Sequence, residues 1–546
     1  MIPDQVGDDK IVMNFIIWGI IAIATLLNIS SFFVLLSKTP QYTVFTGAVH
    51  YPMDYLDYVS YITQGKYHWL MASNLKSGET IKLEFLNWIY VLGGHIGWLL
   101  RLSPPVTYQC LVVIGSVAYL VAAYLLMKLL FPKNSSLRAL AFVLFIISNA
   151  FPKIYQDHGS WIFTYYYPFE NWGQPFIRLT NVPHQLLIQA AIMGAFVAGV
   201  TYWKRQNRLS LIALAGTGFF LSSFQPIQWA LVGGVLGIGG IFAWTQKYRN
   251  EKNHTWVPEL VFVCLPTIIF FLIGLPAALY LKHLVTQPPF SYGAQWESMQ
   301  QTRISFTEFI TLNGPLMITA LIGLFFIMSE FTVSSFLVIF FSILTIGLFF
   351  SPIPVLVNLS NNRFLSVIPT LTFAYISTHL LWLVTGKVLP KQRIAATWFC
   401  AFLVIAITIP VTISHIIDRN HNTEPQDING YLPLGALLAY NAAGDIVGPN
   451  DTVLVTTNLV QSFQAFSGKH EFVTDELSTI DFTRKNAEAI RFFNNQDTPK
   501  TQMNWLENNH ISYIVTYAWA PINLPNLKVI YQNMYAILYK VTGINK

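Results

Sequence analysis

Apolar stretches long enough to cross a bilayer recur from Ile11 to Ile417, and nothing else in this sequence constrains its fold so strongly. Roughly 30 Å of hydrocarbon offers no partner to a backbone N–H or C=O, so each stretch must close its hydrogen bonds internally, as a helix. About eleven spans are expected, over residues 11–36, 106–131, 139–151, 185–203, 209–224, 227–244, 260–281, 315–328, 332–350, 364–385 and 394–417. Composition agrees: 53% of the 546 residues are hydrophobic and 11% are charged, against about 25% charged in soluble domains. The expected fold class is therefore an all-α polytopic membrane bundle. The leading "MIPDQVGDDK" has no basic n-region and runs into an apolar segment too long for a signal-peptide core, so it is expected to persist as the first span.

Short loops then set the topology. Lys133 with Arg138, "WKRQNR" at 203–208, "QKYRNEK" at 246–252 and "GKVLPKQR" at 386–393 fall between alternate pairs of spans. Basic short loops stay cytoplasmic, which places the N-terminus inside and residues 37–105, 152–184, 282–314, 351–363 and everything after 417 outside. The same topology accounts for the net charge of +6, so nucleic acid is excluded as a partner. Cys110, Cys264 and Cys400 are dispersed in apolar segments without pairable spacing and read as core residues.

Two domains are expected: 1–417, the membrane domain, and 418–546, a small extracytoplasmic α/β domain. The latter contains the β-rich runs "DTVLVTT", "ISYIVTY", "LKVIYQ" and "YAILYKV", and a capped amphipathic helix from Asp481. Within the first outer loop, 37–105, "DYVSYITQGKYHWLMAS" and "LEFLNWIYVLGGHIGWLLRL" carry apolar residues at helical spacing and read as interfacial helices. No internal repeat is evident, which disfavours inverted-repeat transporters.

Nearly all acids and histidines between spans lie on the outer side, among them Asp54, Asp57, Asp157, His158, Glu170, His184, Glu297 and Glu308. Asp54 and Asp57, at i and i+3 in "MDYLDYVSYITQG", share a helix face, with Tyr58 and Tyr61 one turn farther on. Such a pair serves as a general base, binds a divalent cation, or solvates a turn. The second outer loop, 152–184, is dense in Tyr, Trp and Phe and carries Asp157, His158, Glu170, Arg178 and His184. Its aromatic planes suit either sugar faces or the headgroup belt, and His184 beside Pro183 reads as a ligand or as a helix cap. Arg363 in "NNRFLSVIP" either clamps a lipid-linked phosphate or snorkels, and Gln225 in "SSFQPIQ" either faces a cavity or merely precedes the Pro226 turn. No GxxxxGK[ST], GxGxxG before a helix, HExxH or GxSxG occurs, so a sugar donor would come dissolved in the membrane.

This layout resembles the GT-C class of polytopic glycosyltransferases, which use polyprenyl-phosphate-linked sugars. It is similar more closely to a group of bacterial membrane proteins with the run D-x-x-x-Y-x-x-x-I/M-x-Q-G and a later Gly-His pair, here Asp54, Tyr58, Ile62, Gln64, Gly65, Gly94 and His95. That group also has elements matching Phe169–Glu170, Pro183–His184, Pro226 and Arg363–Phe364. The resemblance implies Asp54 as the catalytic acid with Asp57 second, Glu170 and Asp157 as second-loop carboxylates, and Arg363 on the phosphate. Tyr58, Tyr61, Gln64, His158, Arg178, His184 and Gln225 would complete the substrate site. No DxD or ExD marks the second loop, which leaves a divalent cation (Mg or Mn) open.

The implied activity is inverting hexosyl or pentosyl transfer to an envelope glycan, lipid or protein acceptor, on the outer face of a prokaryotic plasma membrane. Residues 418–546 would act as a lid or acceptor module whose removal changes acceptor use before donor binding. A transporter or flippase of lipid-linked glycans is the rival reading, disfavoured by spans almost free of ionisable residues, His379 excepted. A third reading is a non-catalytic envelope scaffold.

Overall fold

A computed structural model describes residues 3–49, 51–79, 81–147, 150–157, 159–165, 179, 182–250, 256–327, 331–419 and 428–543. In chain order the helices are α1 Pro3–Ser37, α2 Pro52–Gln64, α3 Trp88–Leu99, α4 Pro104–Leu130, α5 Ser135–Ile147, α6 Pro183–Arg205, α7 Arg208–Phe224, α8 Pro226–Asn250, α9 Trp256–Leu284, α10 Phe290–Met299, α11 Phe306–Ile327, α12 Val333–Phe350, α13 Ile368–Val388, α14 Arg393–Arg419, α15 Leu434–Ile446, α16 Val460–Ser467, α17 Phe482–Phe493 and α18 Pro499–Asn508. The strands are β1 Thr43–Phe45, β2 Pro152–Asp157, β3 Ser160–Tyr165, β4 Tyr431–Pro433, β5 Thr452–Val455, β6 His470–Glu471, β7 Ile511–Tyr517, β8 Leu527–Gln532 and β9 Ala536–Val541. Among the described residues nine helices (α1, α4, α6, α8, α9 and α11 to α14) are long and apolar enough to cross a membrane, and α5 and α7 are shorter apolar helices. The protein is a multi-pass helical membrane protein.

Two compact units divide the chain. The first comprises Met1–Ile29, Val112–Lys282 and Glu297–Asp418; the second comprises Ser30–Leu111, His283–Trp296 and Arg419–Lys546.

In the first unit α13 is the most thoroughly buried span. Hydroxyls rather than charges tie it to its neighbours: Thr372 to Ser342 of α12 at 2.8 Å, Ser377 to Thr319 of α11 at 2.6 Å, and Thr385 to Thr397 of α14 at 2.7 Å. Small polar side chains are suited to such contacts because lipid tails give packed helices little hydrophobic reason to associate. Gly314, at φ 65°, breaks the helical path of α11 just before Pro315. A β-hairpin, β2 with β3, occupies part of the second outer loop, where the aromatic-rich sequence suggested no strand.

The second unit is built on a five-stranded sheet of order β6-β5-β7-β9-β8, parallel across β6, β5 and β7 and antiparallel at β9 and β8. Alternate residues supply two cores. Val453, Val455, Tyr513, Val515 and Leu538 pack with α15 and α16, while Leu454, Ile514, Ile537 and Tyr539 pack with α17 and α18. The sheet is thus covered on both faces, which explains why its strands read as nearly continuous apolar runs. Asp481 stands at the start of α17, but no side-chain capping bond forms; its carboxylate pairs with Arg484 at 2.5 Å instead.

The first outer loop belongs to this same unit. The two helices expected there are present, although α2 stops at Gln64 rather than running on through "KYHWLMAS". Glu471 N donates to Leu75 O at 2.8 Å, Gly78 N to Phe472 O at 3.2 Å, and Thr479 Oγ1 to Lys76 O at 2.6 Å. Residues 75–78 are thereby hydrogen-bonded along 471–479, beside the β6 edge.

Candidate functional site

Pro52 at the first turn and Asp54 near the N-terminus favour α2 starting where it does, since proline has no N–H to waste and a carboxylate complements the helix dipole. The apolar face buries Tyr55, Leu56, Val59 and Ile62, leaving Asp54 exposed and Asp57 half-buried. Tyr55 donates to Thr46 O at 2.7 Å and meets Tyr108 edge-on at 4.8 Å, while Tyr58 stacks on Tyr90 at 4.5 Å. The Tyr61 hydroxyl bonds Asn87.

The two carboxylates are not equivalent. Lys76, buried, lies 2.5 Å from Asp57 Oδ1 and 2.8 Å from Asp475 Oδ2. Burial pushes Asp57 up to about 6 although the Lys76 ammonium opposes the shift. Desolvation also raises Asp54, with Lys76 again pulling it down. Asp54 therefore stands open to water, although crowding by protein raises it. Asp57 is occupied by an ion pair.

The Gln-Gly and Gly-His parts of the shared run have packing roles. Gln64 is buried, and both ends of its amide bind the Ser73 backbone, at 2.9 and 3.1 Å. A Cβ on Gly65 would overlap the Val91 carbonyl and His95 N, and one on Gly94 would overlap the Ile62 carbonyl, so α2 and α3 cross almost backbone to backbone. His95 Nδ1 lies 3.2 Å from Gly65 O, and its ring packs on Trp69 at 3.8 Å.

In the first unit Arg363, on the 3-10 turn Asn361–Phe364, forms a two-pronged ion pair with Glu297, its Nη2 donating to Oε2 at 2.6 Å. Asn361 fixes that turn by donating to Thr302 O at 2.8 Å and accepting from Thr302 N at 2.9 Å. Gln228 donates to Arg363 O at 2.7 Å. His184 stacks on Phe224 at 5.5 Å, next to the buried Gln225. Glu308 caps α11, its Oε2 accepting from Ser305 N at 2.6 Å and from Ser305 Oγ at 2.9 Å.

Glu170, His158 and Arg178 lie outside the described residues, as does the side chain of Asp157, whose backbone ends β2. Among the described residues no group of three His, Cys, Asp or Glu side chains is placed to hold a metal ion. Reading the sequence missed Lys76, Asp475 and Glu84 altogether and gave Glu297 no role. Nothing local marks Lys76 or Asp475, whose significance comes from a contact spanning 399 residues.

No family model and no curated relative matches the sequence. Solved structures do. The Archaeoglobus fulgidus oligosaccharyltransferase in its apo form superposes with a TM-score of 0.54 at 10% identity, over 92% of this chain and 69% of that one. The archaeal oligosaccharyltransferase AglB from Archaeoglobus fulgidus, in complex with an inhibitory peptide and a dolichol-phosphate, gives 0.53 at 10% identity, over 92% of this chain and 69% of that one. The mycobacterial arabinofuranosyltransferase AftD gives 0.52 at 15% identity over 96% of this chain, which spans 40% of AftD. At these identities the likeness speaks for architecture, and that architecture is the GT-C fold: a polytopic helical membrane bundle with a small C-terminal sheet region.

Proposed function

We propose that the protein is a glycosyltransferase that moves a sugar from a polyprenyl-phosphate carrier to an envelope acceptor, with inversion, at the outer face of a prokaryotic plasma membrane. The N-terminus is then cytoplasmic and the region after 417 extracytoplasmic. Asp54 carries this reading, because it is the carboxylate of the pair that is both accessible and raised by burial, while Lys76 holds Asp57. A raised carboxylate is a better base, and positioning against the acceptor supplies the rest.

In the step itself Asp54 takes the proton of an acceptor hydroxyl as its oxygen bonds to the anomeric carbon. The bond from that carbon to the phosphate oxygen breaks, and its electron pair leaves with polyprenyl phosphate. Phosphate is a good leaving group and needs no general acid. Arg363 is the phosphate ligand of this reading, its planar fork exchanging Glu297 for phosphate oxygens. Loss of transfer in EDTA, restored by added Mg or Mn, would add a divalent cation to this reading.

The test is turnover by the purified protein in liposomes, with polyprenyl-phosphate carriers bearing radiolabelled sugars and a panel of glycan, lipid and peptide acceptors. Label moving to an acceptor with release of polyprenyl phosphate supports the reading. Label that remains on the carrier, or crosses the vesicle still attached to it, refutes it.

A further inference from the structure

We infer that the first unit reads the sugar of the donor through a cluster of side-chain amides, and that this sugar is an uncharged, hydroxyl-rich ring. The inference rests on the glycosyltransferase reading above. Its starting point is Gln225, at the break between α7 and α8 where Pro226 has no N–H to continue the helix. Gln225 is 3% exposed, and among the described residues neither its Nε2 nor its Oε1 has a hydrogen-bond partner. A buried primary amide with both ends unmet costs stability, which a chain keeps only where something else satisfies it.

Gln225 has company. One turn along α8, Gln228 donates to Arg363 O at 2.7 Å and Leu365 O at 3.2 Å, and its Oε1 is left over. On α6, Gln189 Oε1 accepts from Val367 N at 3.1 Å and its Nε2 is left over. One turn earlier Gln185 has an unmet Oε1, its Nε2 lying 3.1 Å from His184. The His184 ring in turn stacks on Phe224, the neighbour of Gln225. Two glutamines of the cluster thus bind the 363–367 segment, and the stacked ring pair joins the start of α6 to the Gln225 break.

The chemistry of the leftover atoms selects the ligand. Three are acceptors, on Gln185, Gln225 and Gln228, and two are donors, on Gln189 and Gln225. A phosphate at neutral pH offers mainly acceptors and leaves the three amide oxygens unmet. Sugar hydroxyls donate and accept, and so match a mixed set. A uronate or an amino sugar would call for an opposite charge in the cluster, but the leftover atoms belong to neutral amides.

The experiment compares wild type with Gln225→Leu in detergent–lipid micelles. Probes are bare undecaprenyl phosphate, the same carrier bearing glucose, mannose or arabinofuranose, and the carrier bearing 4-amino-4-deoxyarabinose or galacturonate. Wild type should bind at least one neutral form about tenfold more tightly than the bare carrier, and Gln225→Leu should lose that gain while binding bare carrier as before. The variant should also melt no lower than wild type without ligand, because leucine removes two unmet polar atoms at similar volume. Retention of the gain in Gln225→Leu, a charged sugar binding tightest, or a lowered melting temperature would each overturn the inference while leaving the transferase reading standing. Failure of wild type to bind any of the carriers would remove both.

Discussion

Lys76 decides which acid of α2 is available. Its ammonium is held between Asp57 and Asp475, and removing it leaves two desolvated carboxylates facing each other. Lys76→Met should therefore lower stability by about 3 kcal/mol, read from the thermal midpoint, with Asp57→Asn costing less because one carboxylate remains to pair the lysine. Glu84 supplies a pH signature. It is buried, among the described residues neither carboxylate oxygen has a hydrogen-bond partner, and desolvation pushes it from 4.5 up to about 8. The folded chain holds a proton that the unfolded chain releases, so this contribution is complete below about pH 4.5 and is lost as pH rises through about 8. The melting temperature should fall across that window, and Glu84→Gln should flatten the fall; an unchanged slope in the variant would remove Glu84 as its source. At this scale the sequence was only partly legible. The serine and glutamate of Ser305–Glu308 have the spacing of a capping box, whereas Gln64 looks like any polar residue in a site until Ser73 is seen to occupy both ends of its amide.

The crossing of α2 and α3 is governed by two glycines whose φ angles matter less than the space they leave. Because the obstacle at Gly94 is the Ile62 carbonyl and at Gly65 the Val91 carbonyl, neither can swing aside as a side chain would. Gly94→Ala should lower stability by about 1–3 kcal/mol and shift the first-loop amides in a hydrogen-exchange experiment, while Ala at exposed Ser37 should do neither. Helical periodicity located both helices but ran α2 too far, because the apolar spacing continues through "HWLMAS" after the fold has turned at Gly65. Hydrophobic spacing also placed the spans well, since a bilayer leaves one solution. It could not find the short hairpin of β2 and β3 in a loop whose aromatics satisfy either helix or strand.

On the scale of the whole molecule, the segments that make the second unit come from three separated stretches of chain. A β-rich tail was readable from its alternating runs, but its partnership with residues 72–84 was not, since backbone hydrogen bonds such as Glu471 N to Leu75 O leave no trace in side-chain pattern. Deleting 421–546 removes Asp475 and the 471–479 segment together, so amides of residues 72–84 should lose exchange protection, and acceptor use should change before carrier binding, whose proposed ligands lie in the first unit. A truncated protein with a protected first loop would contradict that. The central claim is that Asp54 is the base of a transfer reaction, and single-turnover transfer by Asp54→Asn in protein shown to bind the carrier tests it most directly. The account predicts a rate about 10²- to 10⁴-fold below wild type with carrier affinity unchanged. A wild-type rate in that variant would contradict it.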